Sequence, residues 1–180
     1  MGCDIHLYIE IYSGNGSPFS KEEHIAGFNN GDIYVPRHYY LFDALAGVRH
    51  NQGNTCLIPA KGIPKKISHE VMQNYYQYVF DENEEYWDDD YAKRVRADEW
   101  VRKGQSEYRD HHLKKKGWVS CPDWHTPSYL VLNEVNDAID HKEIDRSELS
   151  REFRIILSLL NAAEIEYGKN NARAVFWFDN

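Results

Sequence analysis

The chain opens Met1-Gly2-Cys3-Asp4-Ile5-His6-Leu7-Tyr8-Ile9-Glu10-Ile11. Cys3, Ile5, Leu7, Ile9 and Ile11 fall on one side of an extended backbone, and Asp4, His6, Tyr8 and Glu10 on the other. Alternation at period 2 over nine residues predicts a strand with one oily face. Its mate lies at the other end, where Ala172-Arg173-Ala174-Val175-Phe176-Trp177-Phe178 is β-branched and aromatic almost throughout. That composition predicts a central strand buried on both faces. Neither strand can bury its apolar surface alone, so the two are expected to be neighbours in one small central sheet. Helices packed on that sheet give an α+β or α/β fold in a single domain, 1–180.

Between the end strands, Tyr40 to Val48 carries Leu41, Leu45 and Val48 at helical spacing. Ser68 reads as an N-cap with Glu70 in the first turn, and Val71, Tyr75, Tyr78 and Val79 share one helical face. Asp145 followed by Glu148 reads as a capping box. Behind it Leu149, Phe153, Ile156, Leu157, Leu160 and Ala163 form an apolar stripe ended by Gly168. Residues 81–90 hold seven acids and residues 91–116 hold nine Lys or Arg. Opposite charges of this kind pair along solvated helix faces, so 81–117 is expected to be a peripheral helical insertion. The acids lack calcium-loop spacing, with its central Gly and closing Glu.

The length of 180 residues suits one core. A net charge of −8 argues against general nucleic-acid binding, which needs a basic footprint. No run of about 18 apolar residues is present to span a membrane, and the first residues read as a strand rather than a secretory signal. Cys3, Cys56 and Cys121 are odd in number and widely spaced, without CxxC, which points to a reducing cytoplasm rather than a disulfide framework.

Three places carry chemistry. Asp4-x-His6 sets a carboxylate and an imidazole about 6.5–7 Å apart on the polar side of the first strand. Asp123-x-His125 repeats the pattern in a Pro-containing loop ahead of the apolar run Tyr129 to Val135. If that run opens a helix capped by Thr126 or Ser128, its N-terminal N–H groups make an anion site beside His125. Convergence of Asp4, His6 and His125, joined by Asp123 and Asp179, would suit a divalent metal with mixed His and carboxylate ligands. Third, Arg37 and Arg49 flank the aromatic-rich segment 38–48. Guanidinium groups clamp phosphates and tyrosines stack on bases, whereas Tyr39 and Phe42 read more simply as core.

The segments MGCDIHLYIE, YYLFDALAGVR, PAKGIPKKIS, DWHTPSYL and VFWFDN together resemble a family of small proteins of tailed phages and prophages. The resemblance covers both chain ends and the middle. It implies a place, the cytoplasm of an infected host cell, and a set of polar motif residues rather than a reaction. Carried over by position, those residues are Asp4, His6, Arg49, Asp123, His125 and Ser128. Pro127 stands where the family pattern has a second histidine, which weakens a metal site built on that loop. Lys61 stands where the pattern has an arginine, keeping the charge and losing the bidentate fork.

Two functions follow as expectations. One is an accessory protein that captures a small anionic or nucleotide-like ligand, such as a host defence signal, with Asp4, His6, Arg49, Lys61, Asp123, His125 and Ser128 lining the site. A homo-oligomer is compatible with it. The other is a metal-dependent hydrolase or phosphoesterase using Asp4, His6, Asp123 and His125. The Asp-x-His opening resembles that of calcineurin-like phosphoesterases, but their later GDxxDR and GNH motifs are missing. Binding is the leading expectation.

Overall fold

The computed structural model describes residues 2–12, 25–28, 33–49, 56–64, 66–75, 107–110, 115–118 and 123–179. They fall into two compact units, Met1–His69 with His125–Asn180, and Glu70–Trp124.

The first unit is built on the two end strands. Strand β1 (Asp4–Tyr12) pairs antiparallel with the last strand, β6 (Ala172–Asp179), with Leu7 opposite Phe176 and Asp4 opposite Asp179. Strand β2 (Ile25–Phe28) lies on the far side of β1, and β5 (His125–Val131) on the far side of β6. The sheet order is therefore β2-β1-β6-β5, all antiparallel. The expected small sheet containing both end strands is present, with β6 in its interior and Ala172 through Phe178 all buried.

Ile5, Leu7, Ile9 and Ile11 share one face with their β6 partners Phe178, Phe176, Ala174 and Ala172. Three helices supply the other half of that core. Helix α1 (Tyr39–Ala46) contributes Leu41, Phe42 and Leu45. Its N-terminal N–H of Leu41 is capped by His38 Nδ1 at 3.0 Å, and it ends at Gly47, whose φ of 70° is reached without strain because it has no Cβ. Helix α3 (Leu132–His141) contributes Val135 and Ile139, and α4 (Arg151–Tyr167) contributes Phe153, Ile156, Leu160 and Ala163. The i, i+3, i+4, i+7 spacing read in α4 is its buried stripe.

The start of α4 differs from the capping-box expectation. Asp145 instead makes a tight turn, its carboxylate accepting the Ser147 N–H at 2.8 Å and its carbonyl the Glu148 N–H at 2.9 Å. The helix begins five residues later, where Ser150 Oγ accepts the Phe153 N–H at 3.1 Å. An Asx turn and a helix cap use the same short acceptor side chain, so sequence spacing alone does not separate them.

Helix α2 (His69–Tyr75) begins after Ser68, and in the second unit Tyr75 stacks on Trp124 with centroids 5.9 Å apart. Strands β3 (Glu107–Asp110) and β4 (Lys115–Trp118) form an antiparallel pair. The described part of 81–117 is thus strand rather than helix. The register sets Asp110 opposite Lys115 and Glu107 opposite Trp118. The rest of the 81–117 expectation, and Tyr78 and Val79, lie outside the described residues.

Candidate functional site

The second face of the first unit's sheet is polar at its origin but not open. Glu10 is fully buried, and Arg173, opposite it on β6, is 4 % exposed. Arg173 Nε donates to Glu10 Oε2 at 2.7 Å, and Glu10 Oε1 accepts the Ser68 N–H at 2.5 Å. Arg173 Nη2 also donates to the Lys66 carbonyl. This pair seals segment 66–68 onto the sheet. Further along, the Trp177 indole lies nearly parallel to the rings of both Tyr8 and His6, at 5.2 and 5.6 Å and 15° in each case.

The face becomes accessible where the two end strands finish together. His6 Nε2 lies 3.0 Å from Asp179 Oδ2, and the other oxygen of Asp179 accepts the Asp4 N–H at 3.0 Å. Arg37, in the segment before α1, grips Asp4 with both nitrogens of one guanidinium edge. Nε donates to Oδ1 at 2.7 Å and Nη2 to Oδ2 at 2.5 Å, while the Tyr34 hydroxyl donates to Oδ1 at 3.1 Å. Fork-on-carboxylate geometry is the strong form of this contact. It holds the Asp4 carboxyl below its ordinary range, with the Arg37 hydrogen bonds as the main cause, and raises the Arg37 guanidinium and the Tyr34 phenol. The stability this lowered carboxyl contributes is present above the ordinary carboxylate range and is lost as pH falls through its folded value.

Gly2 makes room for that arrangement. A Cβ at Gly2 would come within 1.9 Å of Arg37 Nη1, so the guanidinium rests against bare backbone.

Arg49 stands at the other end of α1. It is exposed and carries a left-handed φ of 61°, a conformation uncommon for a residue with a Cβ. Its guanidinium stands 6.0 Å from the centroid of Tyr39, and it hydrogen-bonds the buried Cys3 thiol, lowering a pKa that burial pushes up. Tyr34, Tyr39 and Tyr40 are 60, 42 and 65 % exposed. Tyr39 is therefore surface, whereas Phe42 is core as read: the α1 stripe turns Phe42 inward and leaves the first turn in solvent.

No protein-family model, curated protein or solved structure matches the chain.

The remaining sequence-derived candidates lie elsewhere. His125 is opposite Phe178, stacks on it at 6.0 Å, and so sits on the helix-covered side of the sheet, away from Asp4 and His6. Its Nδ1 is 2.9 Å from Thr126 Oγ1. Thr126 has a φ of 49° within the register shift between His125 and Ser128. The expected convergence of Asp4, His6 and His125 on a metal does not form, because strand pairing puts them on opposite faces. Among the described residues no group of three or more His, Cys, Asp or Glu is placed to hold a metal.

The helix expected at Tyr129 begins only at Leu132, since 125–131 is strand β5. Its N-terminus is therefore a strand's length from His125, roughly 20 Å at about 3.3 Å per residue. Glu134 occupies that end, its carboxylate accepting the Val131 N–H at 3.1 Å. Ser128 is buried and accepts the Lys61 N–H at 3.1 Å, and Gly62 N–H bonds the Pro127 carbonyl at 3.0 Å. Lys61 Nζ is held by both oxygens of Glu134 at 2.7 Å and lies 4.8 Å from the Tyr129 ring. Lys61 and Ser128 thus fasten a loop to β5. Asp123 is exposed and belongs to the second unit.

Of the seven candidates, Asp4 and His6 come together, while Arg49 meets Tyr39 and the core-facing Cys3. Arg37, Tyr34 and Asp179 join Asp4 and His6, from positions that no short motif links. Among the described residues, no helix is long and apolar enough to cross a membrane.

Proposed function

We propose that the chain is a phage accessory protein that captures a small anionic, nucleotide-like ligand in the cytoplasm of the infected host cell, withholding a defence signal rather than converting it. The reading rests on one observation: the exposed Arg49 guanidinium over the exposed Tyr39 ring, from a strained backbone position. Guanidinium edges recognise phosphate oxygens, and phenol rings offer a π-face to a base. A left-handed residue with a Cβ is costly, and such strain is concentrated where a side chain must be aimed. All of these residues come from one chain, so the reading does not depend on a homo-oligomer.

The test uses adenosine 5′-monophosphate as a probe, with adenosine and ribose 5-phosphate each supplying half of it. Titration calorimetry should rank the nucleotide above both halves. Arg49→Ala should weaken nucleotide binding by roughly ten- to a hundredfold, the loss expected for one charged hydrogen bond. Its melting temperature should stay within about 2 °C of wild type, as for an exposed position. Equal binding by wild type and Arg49→Ala would refute this assignment.

A further inference from the structure

The Arg37 fork is already occupied. Nε and Nη2, the edge that would take two oxygens of a phosphate, are both spent on Asp4, and Tyr34 adds its hydroxyl to the same carboxylate. Nη1 lies against Gly2, which closes another approach to the guanidinium. The pair is nonetheless at the surface, with 49 % of the Arg37 side chain and 27 % of the Asp4 side chain exposed. Surface ion pairs are weak enough to be exchanged, because water screens them.

We propose that Asp4 is a resident placeholder for the ligand's anionic group, and that the site therefore selects a terminal phosphate monoester over a phosphodiester. This rests on the nucleotide-binding reading above and names the ligand class within it. The argument is one of charge. A phosphate monoester carries about −1.5 to −2 at neutral pH. A diester carries a single negative charge per phosphate, the same as the carboxylate it must displace. Exchange of Asp4 for a monoester gains Coulomb energy against Arg37, whereas exchange for a diester gains none and still has to break the bidentate pair. Asp179, through its hydrogen bonds to His6 and to the Asp4 N–H, adds a second carboxylate beside the one to be displaced.

The experiment compares adenosine 5′-monophosphate with adenosine 3′,5′-cyclic monophosphate, which has the same base and a diester. Binding is measured calorimetrically on wild type, Asp4→Asn, Asp4→Ala and Arg37→Lys, each with a thermal melt to confirm folding. Wild type should prefer the monoester by about tenfold. Asp4→Asn and Asp4→Ala should bind the diester more tightly than wild type does, shrinking the preference to within about threefold. Arg37→Lys, which keeps charge and loses the fork, should weaken the monoester and leave the diester nearly unchanged. If the wild type binds both with equal affinity, the placeholder is refuted while the nucleotide reading stands. Parallel weakening of both nucleotides by Asp4→Asn, Asp4→Ala and Arg37→Lys would also refute it, since Asp4 would then be orienting Arg37. Absence of binding to any of the four proteins overturns the nucleotide reading and this inference with it.

Discussion

Arg173→Ala should lower stability by about 3–5 kcal/mol, the range for removing one partner of a buried ion pair. Glu10 has no exposed surface and its Oε2 accepts from Arg173, so truncating the arginine leaves a carboxylate without its counter-charge inside the protein. The Lys66 carbonyl loses the Arg173 donor in the same step, and segment 66–68 loses a tie to the sheet. For a chain of this size the melting temperature should fall by roughly 6–20 °C. The pair itself need not be worth that much. Glu10→Gln combined with Arg173→Met removes both charges together and should recover much of the loss. A single Arg173→Ala variant melting within about 2 °C of wild type would contradict the burial and pairing described for Glu10.

Phe178→Ala should be comparably damaging, at about 3–5 kcal/mol. Phe178 is fully buried and its ring meets three others: Phe42 of α1 at 5.2 Å, Phe176 at 5.8 Å and His125 of β5 at 6.0 Å. Deleting it opens a cavity where a helix and two strands meet, and a close-packed interior refills such space only in part. Because Phe178 precedes Asp179, the effect should reach the site. The shared measurement is a denaturant melt monitored by tryptophan fluorescence, in which Trp177 reports on the adjacent position. A shift in midpoint no larger than that of an exposed substitution such as Ile165→Ala would show that Phe178 is not in the core; Ile165 is 77 % exposed.

Much of the fold is legible because both end strands declare themselves. The alternation from Cys3 to Ile11 and the unbroken apolar run from Ala174 to Phe178 each have one economical burial, and the two are complementary. What spacing leaves open is competition between elements that use the same residues. Tyr129-Leu130-Val131 are strand formers that also begin an apolar run, so the run reads as a helix until β5 is seen to pair with β6 as far as Val131. Asp145 and Ser150 are both good caps five residues apart, and burial of Leu149 between them decides for the second.

The site is less legible than the fold for a related reason. Asp-x-His marks Asp4 and His6, but their partners stand far away in sequence: Tyr34 and Arg37 some thirty residues on, and Asp179 at the opposite end. On the polar side of β1, Glu10 is buried, with Arg173 across from it in the register. His125 misleads. It shares a motif with His6, yet pairing with Phe178 sends it to the other face. The signal that survives is Gly2. Its missing Cβ is what lets the Arg37 guanidinium reach Asp4, although nothing in the sequence alone ties the two together.

The most direct measurement is a crystal structure of the protein grown with adenosine 5′-monophosphate. The account predicts phosphate oxygens within hydrogen-bonding distance of the Arg37 and Arg49 guanidinium groups, with the Asp4 carboxylate displaced from the Arg37 fork and the adenine lying against an exposed tyrosine of the segment 34–40. A nucleotide bound instead with its phosphate away from both arginines, for example on Lys61 at the start of α3, would contradict it.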